Sequence, residues 1–571
     1  MWKYFRGGTG ELAASFCRTV KRRRRVIEKR SGSIERSIAR DLGDTTGLTG
    51  PPETRIRRDV SEFPCHSPVD GSELPTIEAT CPSTVASLVD RARGASVSWG
   101  DTALARRVEL IAEVERRLLG RADEIAALVR LEVGKPLEEA CLAEVLPNAD
   151  LVSYWCDAIE ELLEPIRVEP DPLSYPGKHG RVSRAPRGVV ALVTPWNYPV
   201  AIPLRTLVPA LLAGNAVVWK PSEVTPRSGA LVAALFEGLV PKDVLTVVQG
   251  GADVGRALVE AAVDSVVFTG SVATGRTIAR SCAERFIPCS LELGGKDAAI
   301  VLADCDLERT ANGLVWGAFT NAGQNCAAIE RVYVERAIAE PLIERIVATT
   351  RTLGASDVGV LTTLAQAEKV REHLRDAIAK GAQVLVGGEP EGEANPRAFP
   401  PTVLKIEGDA ASAKAMTDET FGPLLPIQVV EDLDEAVRLT NASSYQLTTS
   451  VWTRNTSRGD AVAAQLRSGI VTVNNHAFTA ALASTPWTGV GDTGTGVTNG
   501  PHCLTSLTRP RLVLVDTNGA KRELWWYPYT PALRTVAFAM AVVRGGGGLV
   551  ARLAALPRLV GALVRRLLGK S

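Results

Sequence analysis

Five short apolar runs constrain the fold most. GVVALVTP from Gly188, AVVWKP from Ala216, VLTVVQG from Val244, SVVFTG from Ser265 and AAIVLA from Ala298 are separated by stretches with apolar residues at helical spacing. Runs this short and this uniformly apolar are buried on both faces, and segments long enough for crossover helices separate them. Alternation of that kind implies a parallel sheet covered by helices, and the fold class is α/β.

A chain of 571 residues exceeds one small core, so a large multi-domain body with flanking pieces is expected. With Lys+Arg 65 against Asp+Glu 64, the overall charge points to no nucleic acid and no strongly acidic partner. The 10 cysteines are irregularly spaced and none forms a CxxC pair, which argues against a disulfide framework or a zinc ribbon, and no metal site is implied. The N-terminal stretch lacks the apolar core of a secretory signal, and no apolar run reaches the length that spans a bilayer. The expected location is cytoplasmic.

Residues 1–58 are polar and basic, with KRRRR at Lys21 to Arg25, and read as a disordered or loosely helical arm. From residue 59 to 162 helical spacing dominates, as in Leu110, Ile111, Val114, Leu118 and Leu119 and again in Ile125, Leu128 and Val129. Residues 163–186 carry β-prone segments around the turn YPGKHG and suggest a projecting hairpin. Residues 518–571 join an aromatic cluster, Trp525, Trp526, Tyr527 and Tyr529, to a basic amphipathic segment. There Arg552, Arg558, Arg565, Arg566 and Lys570 fall within about 140° of arc at roughly 100° per residue. Such a tail fits either an interfacial membrane anchor or a helix docked on its own body or on a sister subunit. Pro557 is expected to kink or split it.

Several motifs carry chemistry. SVVFTGSVATGRTIA joins a strand, a glycine-containing turn and a helix start. Gly270 and Gly275 there allow close backbone approach, and the helix N-terminus offers N–H groups to a pyrophosphate. The pattern departs from GxGxxG, and by itself such a turn is common. Lys220 and Glu223 of KPSE stand after a strand, where ribose hydroxyls are bound in open parallel sheets, although an isolated tetrapeptide of this kind is more often a solvated turn. In LELGGK, Glu292 lies between leucines, and desolvation there would raise its pKa toward that of a general base; the alternative is a carboxylate paired with a cation. In PWNYP, two prolines stiffen the backbone around Asn197, whose amide can donate to a developing oxyanion or cap its own turn. GQNC presents Cys326.

PWNYP, KPSE, FTGSVATG, LELGGK, GQNC and DETFGP occur in an order and spacing that resemble the NAD(P)-dependent aldehyde dehydrogenase superfamily, over about residues 62 to 515. The resemblance implies a Rossmann-like cofactor domain at 59–162 and 187–292, a catalytic α/β domain at 293–500, and a small β oligomerisation element from 163–186 and 501–517. It implies that Cys326 attacks the aldehyde as a thiolate, that Asn197 and the Cys326 N–H hold the oxyanion, and that Glu292 activates the water that hydrolyses the thioester. Lys220 and Glu223 would take the adenosine ribose, Ser271 the phosphates, and Glu419 and Phe421 the nicotinamide half. The cofactor is NAD, with NADP possible, because Glu223 disfavours a 2′-phosphate while the neighbouring lysine offsets it. Homo-dimers or tetramers follow from the same resemblance.

Two segments depart from the family pattern: RTLGASDVGV from Arg351 is short, and PWTGVGDTGTGV from Pro486 replaces a PFGG-like stretch. Succinate-semialdehyde dehydrogenases, which the chain partly resembles, grip a carboxylate with two arginines; the corresponding positions are Arg205 and Thr320. One arginine is missing, and the tail points instead to a lipophilic aliphatic aldehyde. A CoA-acylating dehydrogenase is the alternative that Glu292 argues against. A thiol hydrolase pairing Cys326 with a histidine would leave the nucleotide site without a purpose, and the reactive residues speak against an inactive membrane scaffold.

Overall fold

Valine, alanine and tryptophan crowd the strand Val189–Val193 and its neighbour Ala216–Lys220, side chains that fit a pleat packed on both faces. A computed structural model describes residues 62–567 apart from 173, 391, 393 and 547; the basic arm to residue 58 lies outside the described residues. The first sheet runs in the order Gly494–Thr495, Cys289–Glu292, Ser265–Thr269, Val189–Val193, Ala216–Lys220, Leu245–Val247. Its five longer members are parallel. Chain order reverses direction between Val189–Val193 and Ser265–Thr269, which opens a crevice beyond their C-terminal ends.

The second sheet has seven strands: Gln383–Val386, Thr402–Ile406, Leu424–Val430, Ile329–Glu335, Asp297–Val301, Thr448–Trp452 and Ile470–Val473. Only the edge strand Gln383–Val386 runs antiparallel. Leu293–Lys296 connects the sheets directly, from the C-terminal end of one strand to the N-terminal end of the next. Ile166–Val168, Lys178–Pro186 and Thr508–Asp516 form a separate antiparallel sheet, in line with the hairpin read from the sequence. Ile166, Leu512, Leu514 and Val515 on it are exposed.

Two expectations are corrected. The described part of the segment after residue 59 opens with strand and not helix: Glu62–His66 and Glu73–Glu78 pair as a hairpin, closed where Gly71 takes φ 75° and donates to the Ser67 carbonyl at 2.9 Å. Proline in each strand and weak alternation hid it. The tail helix Leu549–Leu567 also runs through Pro557 without splitting; the proline is on the exposed side, where solvent can satisfy the carbonyl that its ring displaces.

The loop before Cys326 is strained. Asn321, Ala322 and Gly323 take φ of 53°, 53° and 71°, the left-handed region that only glycine enters freely. Gly323 also faces the Gly422 carbonyl so closely that a Cβ would overlap it. Gly323→Ala should therefore cost about 1–3 kcal/mol, read as a lower midpoint in urea denaturation, because backbone on both sides leaves no flexible atom to give way.

Candidate active site

Glu292 ends the strand Cys289–Glu292, and Cys326 stands three residues before the strand Ile329–Glu335. The junction between the sheets thus brings residues from both to one place. Cys326 Sγ donates to Glu292 Oε1 at 3.5 Å. The same Oε1 accepts from Trp487 Nε1 at 2.6 Å, while Oε2 accepts from the hydroxyls of Thr269 at 3.3 Å and Thr498 at 3.4 Å. The flanking leucines suggested apolar surroundings for this carboxylate. It is buried, but among donors, because the side chains of a strand alternate in direction and Leu291 and Leu293 point elsewhere.

Cys326 is half-buried. Burial pushes the thiol well above its ordinary range, the Glu292 and Asp297 charges add to that, and Arg205 opposes it. At rest the sulfur therefore holds its proton and the carboxylate at 3.5 Å is positioned to accept it.

Asn197 is buried and its Nδ2 donates to the Gln324 carbonyl at 3.1 Å, which fixes the amide and leaves its second N–H. Its own carbonyl accepts from Lys135 Nζ and Asn321 Nδ2, both at 3.1 Å. Lys135 in turn pairs with Glu144 at 2.7 Å, and Glu144 accepts the N–H groups of Val200 and Ala201 where the helix Ala201–Leu212 begins. The Cys326 N–H donates to no protein group among the described residues.

The residues read as cofactor ligands border the crevice of the first sheet. Lys220 is buried and pairs with the half-exposed Glu223 at 3.0 Å. Ser271 caps the helix Val272–Glu284 by accepting the Thr274 N–H at 3.4 Å, and the helix N-terminus opens at the crevice. Gly270 and Gly275 have a reason other than ligand approach: a Cβ on Gly270 would meet the Phe268 ring, and one on Gly275 would overlap Leu293. Glu419 accepts the Gly295 N–H at 3.0 Å, and burial pushes its carboxyl up to about 7. Phe421 stands edge-on to Trp196, ring centroids 5.7 Å apart. Its N–H donates to Glu330 Oε1 at 2.7 Å, and Glu330 Oε2 accepts from Lys296 Nζ at 2.6 Å and from the Thr420 N–H at 2.7 Å. A helix start whose N–H groups could receive an anion, a Lys–Glu pair at a strand end that could take hydroxyls and an aromatic edge together fit a dinucleotide.

Arg205 is partly buried and close enough to Cys326 and Tyr198 for its charge to act on both. It has no ion-pair partner among the described residues. Thr320 turns its hydroxyl to Glu139 Oε1 at 2.9 Å, so a carboxylate, not a cation, stands beside that position. The buried His476 donates from Nε2 to the Ala327 carbonyl at 2.7 Å, and no histidine among the described residues bonds to Sγ. Trp487, Thr498, Thr269 and the Lys296–Glu330 pair escaped sequence reasoning. The departure at PWTGVGDTGTGV was the signal for the first.

In cofactor-free protein, alkylation of Cys326 by iodoacetamide should rise only at a pH above that of an ordinary cysteine. The midpoint should fall in Glu292→Gln, because a neighbouring negative charge that opposes the thiolate is removed. Alkylation rate against pH for the two proteins measures this.

The Aldehyde dehydrogenase family model matches residues 56–513. A 4,4'-diapolycopene aldehyde oxidase of Methylomonas sp is 34% identical over 81% of this chain and 88% of its own length. A Mycolicibacterium smegmatis protein with the provisional name succinate-semialdehyde dehydrogenase [NADP(+)] is 35% identical over 82% of this chain and 92% of its own. Among solved structures, PnpE in complex with nicotinamide adenine dinucleotide superposes with a TM-score of 0.77 at 30% identity, covering 81% of this chain and 96% of that one. With two-sheet architecture, junction site and family model in agreement, the chain belongs to the aldehyde dehydrogenase family.

Proposed function

We propose that the chain oxidises an aldehyde to a carboxylic acid through a covalent adduct on Cys326, with NAD as the preferred acceptor. The contact of 3.5 Å between Cys326 Sγ and Glu292 Oε1 carries this reading. Oε1 takes the thiol proton as sulfur attacks the carbonyl carbon; the C–S bond forms and the carbonyl electron pair moves onto oxygen. The second Asn197 N–H and the Cys326 N–H hold that oxyanion. Lys220, Glu223, Ser271, Glu419 and Phe421 would hold NAD, which would supply the two-electron oxidant: it would accept the hydride from the former carbonyl carbon as the oxyanion's electron pair returns to form the C=O of a thioester on Cys326. Once Glu292 has passed the thiol proton to solvent, its carboxylate takes a proton from water, the hydroxide oxygen bonds to the thioester carbon, the C–S bond breaks, and sulfur leaves as thiolate. The Glu223 carboxylate repels a 2′-phosphate, and its pairing with Lys220 softens that effect, so NAD is favoured and NADP is a weaker substrate.

The substrate we assign is a lipophilic aldehyde. Support comes from the relative named a 4,4'-diapolycopene aldehyde oxidase and from the C-terminal helices. From Leu524 onward the chain carries Arg534, Arg544, Arg552, Arg558, Arg565, Arg566 and Lys570 and no carboxylate side chain. The helix Leu549–Leu567 packs on Pro531–Ala541 and buries Ala555 and Ala562. At about 100° per residue, Leu549, Leu553, Leu556, Val560 and Val564 fall on nearly the opposite side, and they are exposed. On the same count Arg552 and Arg558 lie about 60° to either side of the buried alanines, bordering the packed side of the helix. Exposed Trp526, Tyr527 and Tyr529 stand before it in the chain. An outward apolar stripe, with the arginines spread over the rest of the helix, suits the headgroup boundary of an anionic bilayer, where arginine stems can lie along the apolar layer and their heads reach phosphate. Among the described residues no helix is long and apolar enough to cross a membrane. Arg544 pairs with Asp171 at 2.9 Å, and Trp525 stands edge-on to Tyr175, which ties the tail to the hairpin turn. The exposed apolar residues of the three-stranded sheet are the surface we assign to homo-oligomer contact.

A second reading, a short acid semialdehyde, rests on Arg205, which has no carboxylate partner among the described residues, and on the Mycolicibacterium relative. Glu139 beside Thr320 counts against it, because it would repel a second carboxylate.

Cys326→Ala should abolish NADH formation while NAD still binds, and Glu292→Gln should slow acyl-enzyme breakdown more than acylation, so that a slower pre-steady-state burst of NADH stays visible while steady turnover falls by roughly 10²–10⁴-fold. Release of acyl-CoA faster than free acid would overturn the hydrolytic route. Truncation at residue 518 should abolish sedimentation with anionic vesicles and lower kcat/KM for decanal on those vesicles, leaving propanal unchanged. A preference for succinate semialdehyde over decanal would favour the second reading.

A further inference from the structure

Trp487 lies in the segment that departs from the family pattern, and its indole is one of the largest fully enclosed side chains of the body, 2% exposed. Its backbone is clamped to Thr498 by two hydrogen bonds, Trp487 N–H to the Thr498 carbonyl at 2.7 Å and Thr498 N–H to the Trp487 carbonyl at 2.9 Å. The ring packs with Ala327 and Leu447 and borders Cys326. A side chain so fixed has one place to send its N–H, and that place is Glu292 Oε1 at 2.6 Å.

We infer that Trp487 is a positioning residue that acts through Glu292, aiming the free lone pair of Oε1 at the Cys326 thiol. A carboxylate oxygen accepts in two lone-pair directions. The indole fills one on Oε1, and the sulfur at 3.5 Å meets the other. The Thr269 and Thr498 hydroxyls occupy Oε2, so the carboxyl plane cannot rotate without breaking bonds at both ends. The strand segment is held as well: the Glu292 carbonyl accepts the Gly270 N–H at 3.0 Å, and the Leu293 N–H donates to Thr493 at 2.8 Å. Residues 487–498 therefore form a cradle for the base, and Trp487 is the member that touches the reacting oxygen. The inference rests on the assignment of Glu292 as the base, and the test separates the two.

Trp487→Phe keeps a ring and removes the N–H. It should lower kcat about tenfold, the worth of one hydrogen bond to a charged group, with KM for aldehyde and NAD within about twofold and the melting temperature nearly unchanged. In a Glu292→Gln background the same substitution should cost nothing further, since a residue that acts through Glu292 has nothing left to position. An equal loss in both backgrounds, or full activity in Trp487→Phe, overturns the inference while leaving the base assignment intact. Wild-type turnover in Glu292→Gln alone overturns the base assignment and the inference with it. A second measurement needs no tryptophan variant: in the ¹⁵N-tryptophan spectrum of the whole enzyme, the Trp487 indole N–H should lie downfield and move upfield in Glu292→Gln. An unmoved resonance overturns the inference.

Discussion

The ion pair between Lys296 and Glu330, both almost wholly out of water, holds the reactive centre in register. Lys296 closes the connection between the two sheets, Glu330 lies in the strand that follows Cys326, and the Glu330 carboxylate takes the N–H groups of Thr420 and Phe421. One buried charge pair therefore fixes three segments that are remote in sequence. Removing either partner would strand the other charge, at a cost of about 3–5 kcal/mol. The pair is weak evidence for stability, since a well-packed apolar substitute can serve as well, but it constrains geometry closely.

Around that pair the two sheets divide the work. The first delivers Glu292 and the crevice where chain order reverses; the second delivers Cys326 and the Thr420–Phe421 turn. The left-handed run from Asn321 to Gly323 bends the chain so that Cys326 faces Glu292, and Asn321 offsets that strain with bonds to Asn197 and Gln324. Lys135 and Glu144 do for Asn197 what Lys296 and Glu330 do for the Phe421 turn. Each candidate reactive side chain thus has a buried charge pair close behind it, and none depends on a flexible loop alone.

The sequence made the parallel strands legible because their apolar runs are short and bounded, and it exposed Cys326, Glu292 and Asn197 because each stands in a compact motif. Trp487 stayed hidden because its partner is 195 residues away and a buried tryptophan looks the same whether or not its N–H has a task. Gly270 and Gly275 are ambiguous in a similar way: a glycine announces that a Cβ is unwelcome without saying whether a ligand, the Phe268 ring or Leu293 excludes it. Pro557 misled because helix-breaking strength depends on which side of the helix faces solvent.

The outward stripe of the last helix has a consequence for handling the molecule. Each leucine or valine left partly in water forgoes about half of the roughly 1.5–3 kcal/mol that full burial is worth, and the stripe repeats this five times along one line. Plain buffer is then the least comfortable surrounding for this protein, and its colloidal behaviour will be governed by that line more than by its near-zero net charge of +1. Mild detergent micelles, vesicles or neighbouring copies would each quiet it, so apparent particle size should change with the additive present even while the active site stays the same.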